Sequence, residues 1–165
     1  MSIVSIDKSF AAVNNKTMLI GISPALGPEL LDCLFRMGHG DEIVLADAFF
    51  PGDSCNSRVI RADGIRIPAL LDGILKLINL DYAVPHPVIM MAPIEGDITD
   101  PEVEKSYRAV IDRLWPGTPP TERIERFAFY ERAKKAFAVL MTGETVKYGN
   151  IILKKGVIPI GGKNG

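Results

Sequence analysis

Apolar residues recur along this chain in two alternating patterns, helically spaced stripes and short, nearly unbroken runs. Stripes of period 3.6 predict helices that bury one face, and here they begin near Pro28, Pro68 and Asp100, with a short helix over Glu131–Lys135. Apolar runs are typical of strands that are covered on both faces. Their alternation with helices predicts an α/β fold, in which a mainly parallel sheet carries helices on its faces. The predicted strands are Ile43–Ala46, Val59–Ala62, Val88–Ala92, Ile124–Phe129, Phe137–Met141 and Ile151–Leu153.

The turn after the first predicted helix carries the clearest chemical signal. Phe35 belongs to the apolar stripe of that helix and is expected to be buried, and Gly38 suits the left-handed backbone of a helix end. His39 lies between Gly38 and Gly40, and the strand that follows ends at Asp47. A titratable ring on a bare turn and an acid at a strand's carboxyl end are typical of small-molecule sites on α/β sheets. The alternative is structural: a histidine favoured by the helix dipole, and an aspartate that caps the next loop.

Length and composition fit one ordinary globular domain. The chain has 165 residues, 47% of them hydrophobic, and a formal net charge of -1, so no basic field indicates nucleic-acid binding. No apolar run approaches the ~20 residues of a membrane helix, and the start lacks a signal-peptide pattern. Two cysteines do not form a disulfide framework, which favours a cytoplasmic protein. We expect a flexible arm over residues 1–17, one domain over 18–160 and a frayed tail over 161–165.

Several common catalytic motifs are missing from the sequence. It contains no G-x-G-x-x-G, no phosphate-binding P-loop and no G-x-S-x-G turn. Only His39 and His86 are available as histidine ligands, and neither has metal-ligand spacing to a second histidine or cysteine. Acid–base chemistry without a cofactor, or plain ligand binding, remains.

Two further segments carry polar groups that suit a ligand with many hydroxyls. On the predicted strand Ile124–Phe129 and its continuation, Arg126 and Tyr130 share one face, and both donate hydrogen bonds. The alternative is an arginine that extends to solvent beside a half-buried tyrosine. Tyr148-Gly149-Asn150 is either a tight turn or a set of ligand contacts that the bare backbone of Gly149 permits.

Four collinear parts of the chain also occur together in one known family. They are Met37–Asp47, Ile60–Gly64, Phe127–Ala133, and Thr142–Glu144 with Tyr148–Asn150. These motifs resemble the L-fucose mutarotase branch of the fucose mutarotase and D-ribose pyranase family, and the likeness extends from about Met18 to Val157. The resemblance implies a three-layer α/β/α, ribose pyranase-like fold and a cofactor-free epimerase that acts at the anomeric carbon of a free sugar. It also implies a homo-oligomer, often a ring-like decamer, with active sites at subunit contacts.

The resemblance also suggests roles for individual residues. It implies that His39 is the proton donor, and Tyr130, Tyr148 or a water is the hypothetical second acid/base. L-Fucose, or a related sugar such as ribose or galactose, is the implied substrate. Two rival functions stay open at this point: a non-catalytic sugar-binding accessory of a transport or regulatory system, and a sugar isomerase or lyase that acts at C2. The residues implied to hold the sugar are Asp47, Asp81, Arg126, Tyr130, Tyr148, Gly149 and Asn150.

Overall fold

A six-stranded sheet lies at the centre of the structure, a computed structural model that describes residues 19–158. The predicted arm over 1–17 and tail over 161–165 lie outside the described residues. The strands are β1 (Glu42–Ala46), β2 (Val59–Ala62), β3 (Val88–Met91), β4 (Glu122–Ile124), β5 (Ala138–Thr142) and β6 (Ile151–Lys154). The helices are α1 (Pro28–Arg36), α2 (Gly52–Cys55), α3 (Ile67–Ile74), α4 (Pro101–Leu114) and α5 (Arg126–Lys135).

The sheet is parallel except for one strand. Its order is β2-β5-β1-β6-β3-β4, and β6 runs antiparallel to both of its neighbours, β1 and β3. The parallel strands therefore all end at one edge of the sheet, which we call the carboxyl edge, and all begin at the opposite amino edge. Since β6 is reversed, it begins at the carboxyl edge and ends at the amino edge.

Two apolar clusters cover the two faces of the sheet. Along β1, Ile43 and Leu45 point into the larger cluster, whereas Val44 and Ala46 point into the smaller one. This alternation follows from the two-residue period of a strand. Helices α1, α3 and α4 pack on the larger cluster, and α2 and α5 pack on the smaller one. The three-layer α/β/α fold with a mainly parallel sheet is confirmed.

Two predictions about the first helix were wrong. Phe35 is 90% exposed, because a helix turns about 100° per residue and Leu34 already takes the buried direction. Gly40, with φ +85°, has the left-handed backbone that was expected at Gly38. Helix α1 ends in an extended residue, Met37, so it needs no left-handed cap.

The predicted strand Ile124–Phe129 was also wrong. Strand β4 ends at Ile124, and α5 begins at Arg126. The carboxylate of Glu125 caps this helix by accepting the backbone N–H groups of Phe127 and Ala128, at 2.8 and 3.2 Å. Such a cap satisfies donors that a helix start leaves free, and it outweighs the strand preference of the aromatic residues.

Over residues 19–158, no helix is long and apolar enough to cross a membrane.

Candidate functional site

His39 lies at the amino edge of the sheet, next to a buried carboxylate. Its Nε2 atom is 3.4 Å from Oδ2 of Asp81, and the histidine side chain is 52% exposed whereas that of Asp81 is 4% exposed. The backbone N–H of Asp81 donates to the Lys154 carbonyl, and its Oδ1 accepts the N–H of Ala83. The His39 ring thus lies within ion-pair distance of a buried, hydrogen-bonded carboxylate and remains open to solvent, an arrangement suited to proton transfer.

Asp47 and Asn150 form a reciprocal pair at the carboxyl edge. The Asn150 side chain accepts the backbone N–H of Asp47 through Oδ1 and donates through Nδ2 to Oδ2 of Asp47, both at 2.8 Å. The other carboxylate oxygen of Asp47 accepts the N–H of Phe49 at 2.9 Å. Burial raises the pKa of Asp47, although these hydrogen bonds oppose the shift. The pair joins the end of β1 to the start of β6.

Tyr148 precedes this pair in a conformation that is rare for residues other than glycine. Its φ is +59°, in the left-handed region. The buried Tyr107 hydroxyl donates to the carbonyl of Gly149 at 2.9 Å and anchors the turn to the larger apolar cluster. A Cβ atom at Gly149 would lie only 2.9 Å from the carbonyl oxygen of Val146, so the position has no room for a side chain. The tight turn is therefore present, and the ligand contacts of this segment stay a prediction.

Arg126 and Tyr130 lie on α5 rather than on a strand. They still share a face, because residues four apart are neighbours on a helix. The Arg126 guanidinium stacks 4.7 Å from the centre of the Phe127 ring, and its buried Nε has no hydrogen-bond partner among residues 19–158. The Tyr130 ring packs edge-on against Phe50, with ring centres 5.5 Å apart. Arg126 begins α5 at the carboxyl edge, and Tyr130 lies one turn later, against Phe50 of the loop that follows Asp47.

Two polar residues at the carboxyl edge have no role in the sequence-based prediction. The Asp97 carboxylate accepts the Tyr148 hydroxyl at 2.7 Å, and the buried Glu144 carboxylate accepts Arg66 and the N–H of Thr145. Glu144 does belong to a motif of the resembling family. Asp97 gave no signal in the sequence, because its contact to Tyr148 spans 51 residues.

Among the described residues, no cluster of His, Cys, Asp and Glu could hold a metal ion.

The predicted site residues thus divide between two opposite edges of the sheet. The five residues of strand β1 span about 16 Å, at ~3.3 Å per residue, and lie between His39 and Asp47. His39 and Asp81 lie at the amino edge, while Asp47, Arg126, Tyr130, Tyr148, Gly149 and Asn150 lie at the carboxyl edge. The loop of His39 does not fold over to join them. Its Gly40 N–H is held by the Lys155 carbonyl at 2.8 Å.

Comparison with known proteins supplies the family. The RbsD / FucU transport protein family matches residues 20–158, which is most of the chain. This protein belongs to that family. The L-fucose mutarotase of Actinobacillus pleuropneumoniae is 57% identical over 143 residues, which cover 87% of this chain and 99% of the relative. The L-fucose mutarotase of Haemophilus influenzae is 56% identical over 143 residues, with the same shares covered.

Solved structures of the RbsD / FucU family share the fold. The fucose mutarotase of Streptococcus pneumoniae, solved in complex with L-fucose, is 47% identical and superposes with a TM-score of 0.80 over 86% of this chain and all of that one. RbsD of Bacillus subtilis, complexed with D-ribose, is 25% identical, with a TM-score of 0.64 over 81% of this chain and 95% of its own. The higher similarity on both measures lies with the fucose protein.

Proposed function

We propose that this protein interconverts the α and β anomers of L-fucose without a cofactor. The observation that carries the proposal is an exposed imidazole, His39, that lies 3.4 Å from the buried carboxylate of Asp81. The high identity to L-fucose mutarotases, and the similarity to a fucose mutarotase solved with L-fucose, support both the reaction and the sugar. Ribose and galactose are secondary candidates.

Anomer exchange requires two proton transfers and one broken bond for ring opening, and the reverse of all three for ring closure. The ring oxygen gains a proton while the C1 hydroxyl loses one, the bond between C1 and the ring oxygen breaks, and the open aldehyde results. Rotation about C1–C2 and closure on the other face give the second anomer and return both protons. His39 in its protonated form supplies the ring-oxygen proton, and Tyr130, Tyr148 or a water accepts the C1 proton. A positioned acid or base of this kind contributes about 10²–10⁴-fold in rate.

The active site is proposed to form between two protomers of a homo-oligomer. The amino edge of one protomer supplies His39 and Asp81, and the carboxyl edge of its neighbour supplies Asp47, Arg126 and the residues around Tyr148. The separation of the two edges along β1 supports this arrangement, since one protomer does not bring them together. A closed ring, such as the decamer that the resemblance implies, makes every such contact equivalent.

Saturation-transfer NMR of L-fucose tests the reaction. The wild-type protein should accelerate exchange between the anomeric signals, and His39→Ala should lose about 10²–10⁴-fold of that acceleration while fucose affinity changes less than about threefold. His86→Ala is the matched control, because His86 is the other histidine and lies in a loop with its Nδ1 3.4 Å from the Pro120 carbonyl. Unchanged exchange in folded His39→Ala would remove His39 from the mechanism.

Mixed oligomers test whether the site is shared. His39→Ala and Asn150→Ala should each be inactive alone. When the two are co-expressed, random mixing in a shared-site oligomer restores about one quarter of the sites, because such a site needs one intact edge from each variant. If each protomer holds a complete site, mixing restores none.

A second candidate function is a sugar-binding accessory in transport, which the transport description of the matched family favours. The same NMR experiment separates the two. A protein that binds fucose with ordinary affinity and leaves the exchange rate unaltered is a binding protein. The mutarotase proposal then fails.

A further inference from the structure

The Tyr148 hydroxyl is held by a carboxylate from a distant loop. Its oxygen lies 2.7 Å from Oδ2 of Asp97, which also accepts Lys147 Nζ at 2.7 Å. Oδ1 of the same carboxylate accepts the N–H of Ile98 at 2.9 Å. We propose that Asp97 is a positioning residue that fixes the Tyr148 hydroxyl as a hydrogen-bond acceptor for a sugar hydroxyl, an inference that rests on the proposed function.

The direction of the hydrogen bond between Tyr148 and Asp97 is set by charge. The hydrogen bonds from Lys147 and Tyr148 to the carboxylate hold the pKa of Asp97 at about 2, so it is ionised near neutral pH. An ionised carboxylate only accepts hydrogen bonds, whereas a phenol has one proton to donate. The Tyr148 proton therefore points at Asp97. The backbone N–H of Ile94 approaches the phenol oxygen at 3.5 Å, so only the remaining lone-pair density of that oxygen is left for a ligand.

The backbone conformation of Tyr148 fixes the direction in which its side chain leaves the turn. Its left-handed conformation, at φ +59°, costs energy in a residue with a Cβ atom. Contacts after it hold that conformation: the Gly149 carbonyl accepts Tyr107, and Asn150 pairs with Asp47. The turn thus fixes the position of the Tyr148 Cα and Cβ atoms, and the hydrogen bond to Asp97 fixes the position of its hydroxyl.

This arrangement gives Tyr148 and His39 different roles toward the sugar. A Tyr148 that already donates to Asp97 has no proton to give to the ring oxygen of the sugar. It accepts a hydrogen bond from a sugar hydroxyl and thereby orients the sugar, and the acid role falls to His39. Asp97 touches no substrate atom in this scheme and acts through Tyr148.

Kinetics in a double-mutant cycle test the role of Asp97. Asp97→Ala removes the charge-assisted hydrogen bond that fixes the direction of the Tyr148 hydroxyl. We therefore expect kcat for anomer exchange to fall about tenfold or more and KM to change less than about threefold. In a Tyr148→Phe background, Asp97→Ala should have no further effect. Asp97→Asn keeps an acceptor oxygen and should retain more activity than Asp97→Ala. Lys147→Ala is the matched control, since it removes the other side-chain partner of Asp97 and leaves the Tyr148 contact.

The contact itself is tested without substrate. In protein labelled at the tyrosine ring carbon Cζ, Asp97→Ala should shift the NMR signal of Tyr148, which is assigned through Tyr148→Phe, and should leave that of Tyr107 in place. An unmoved Tyr148 signal, or an equal loss of kcat in the Tyr148→Phe background, overturns the proposal. If the wild-type protein does not accelerate exchange, the proposed function fails instead. The NMR signal of the Tyr148 ring and the fucose affinities of the wild type, Asp97→Ala, Tyr148→Phe and the double variant then decide the role of Asp97.

Discussion

The pair of Asp47 and Asn150 allows a prediction that depends on the direction of every hydrogen bond in it. Two donors meet the two carboxylate oxygens of Asp47, the N–H of Phe49 and the Nδ2 of Asn150. Asn150 cannot flip its amide, because its Oδ1 already accepts the backbone N–H of Asp47. Asp47→Asn therefore places an NH₂ group against one of two donors. Both members of the pair are buried, so water does not replace the lost partner.

The magnitude follows from what each substitution leaves unpaired. Asp47→Asn loses a hydrogen bond to a charged group, about 1.5–3 kcal/mol, and is partly offset because burial disfavours the charged Asp47, so we expect a net loss of about 2 kcal/mol. Asn150→Asp sets two buried carboxylates against each other and should cost about 3–5 kcal/mol. The double variant Asp47→Asn with Asn150→Asp restores all the bonds. The new carboxylate accepts both donors from residue 47, and the new amide oxygen accepts Phe49.

Urea unfolding of the four proteins at one protomer concentration measures the coupling. The double variant should lie within about 1 kcal/mol of the wild-type stability, so that the coupling energy exceeds about 3 kcal/mol. The net charge is the same in the wild type and the double variant, which removes a global electrostatic explanation. If the two effects simply add to within about 0.5 kcal/mol, the reciprocal geometry is wrong.

Three other changes have expected outcomes. Gly143→Ala should abolish or severely weaken folding, since its Cβ would lie 2.7 Å from the backbone of Gly64, as measured by expression and thermal unfolding. Gly40→Ala, whose Cβ meets open space at φ +85°, should cost only about 1–2 kcal/mol of backbone strain in the same assay. Burial alone would raise the pKa of Glu42, but hydrogen bonds from Arg132 and Lys154 lower it, so its stabilisation is present above pH ~4.3 and is lost as the pH falls through the lowered pKa. Glu42→Gln should flatten the acid limb of a stability–pH curve in that window, and an unchanged limb would contradict the pairing.

The periodicity of the sequence predicted most of the fold, because burial of one face decides most of its elements. It failed where a single local contact decides the structure. Glu125 has no special pattern around it, yet its carboxylate turns a stretch rich in Phe and Tyr into the start of α5. Phe35 failed for the opposite reason, since apolarity alone does not show which side of a helix the sheet occupies.

The residues of the candidate site could be selected from the sequence, and their arrangement could be predicted only in part. His39 and Asp47 are separated by one whole strand, so their placement on opposite edges follows once β1 is recognised. The partner of Tyr148 could not be predicted in this way. Asp97 lies 51 residues earlier, in a loop with no apolar period, and its contact depends on how the loop after β3 meets the turn before β6.

The one reversed strand connects the two edges of the sheet that carry the candidate site residues. At its start, β6 carries Asn150, which pairs with Asp47, and at its end the carbonyls of Lys154 and Lys155 accept the N–H groups of Asp81 and Gly40. Asp47 and the segments of Gly40 and Asp81 are therefore bonded to opposite ends of the same four-residue strand, which is paired on both sides within the sheet. A strand so paired does not stretch or slide without breaking its ladder. The spacing between the two edges is therefore constant, and the shared site that we propose would have the same geometry at every contact of a closed ring.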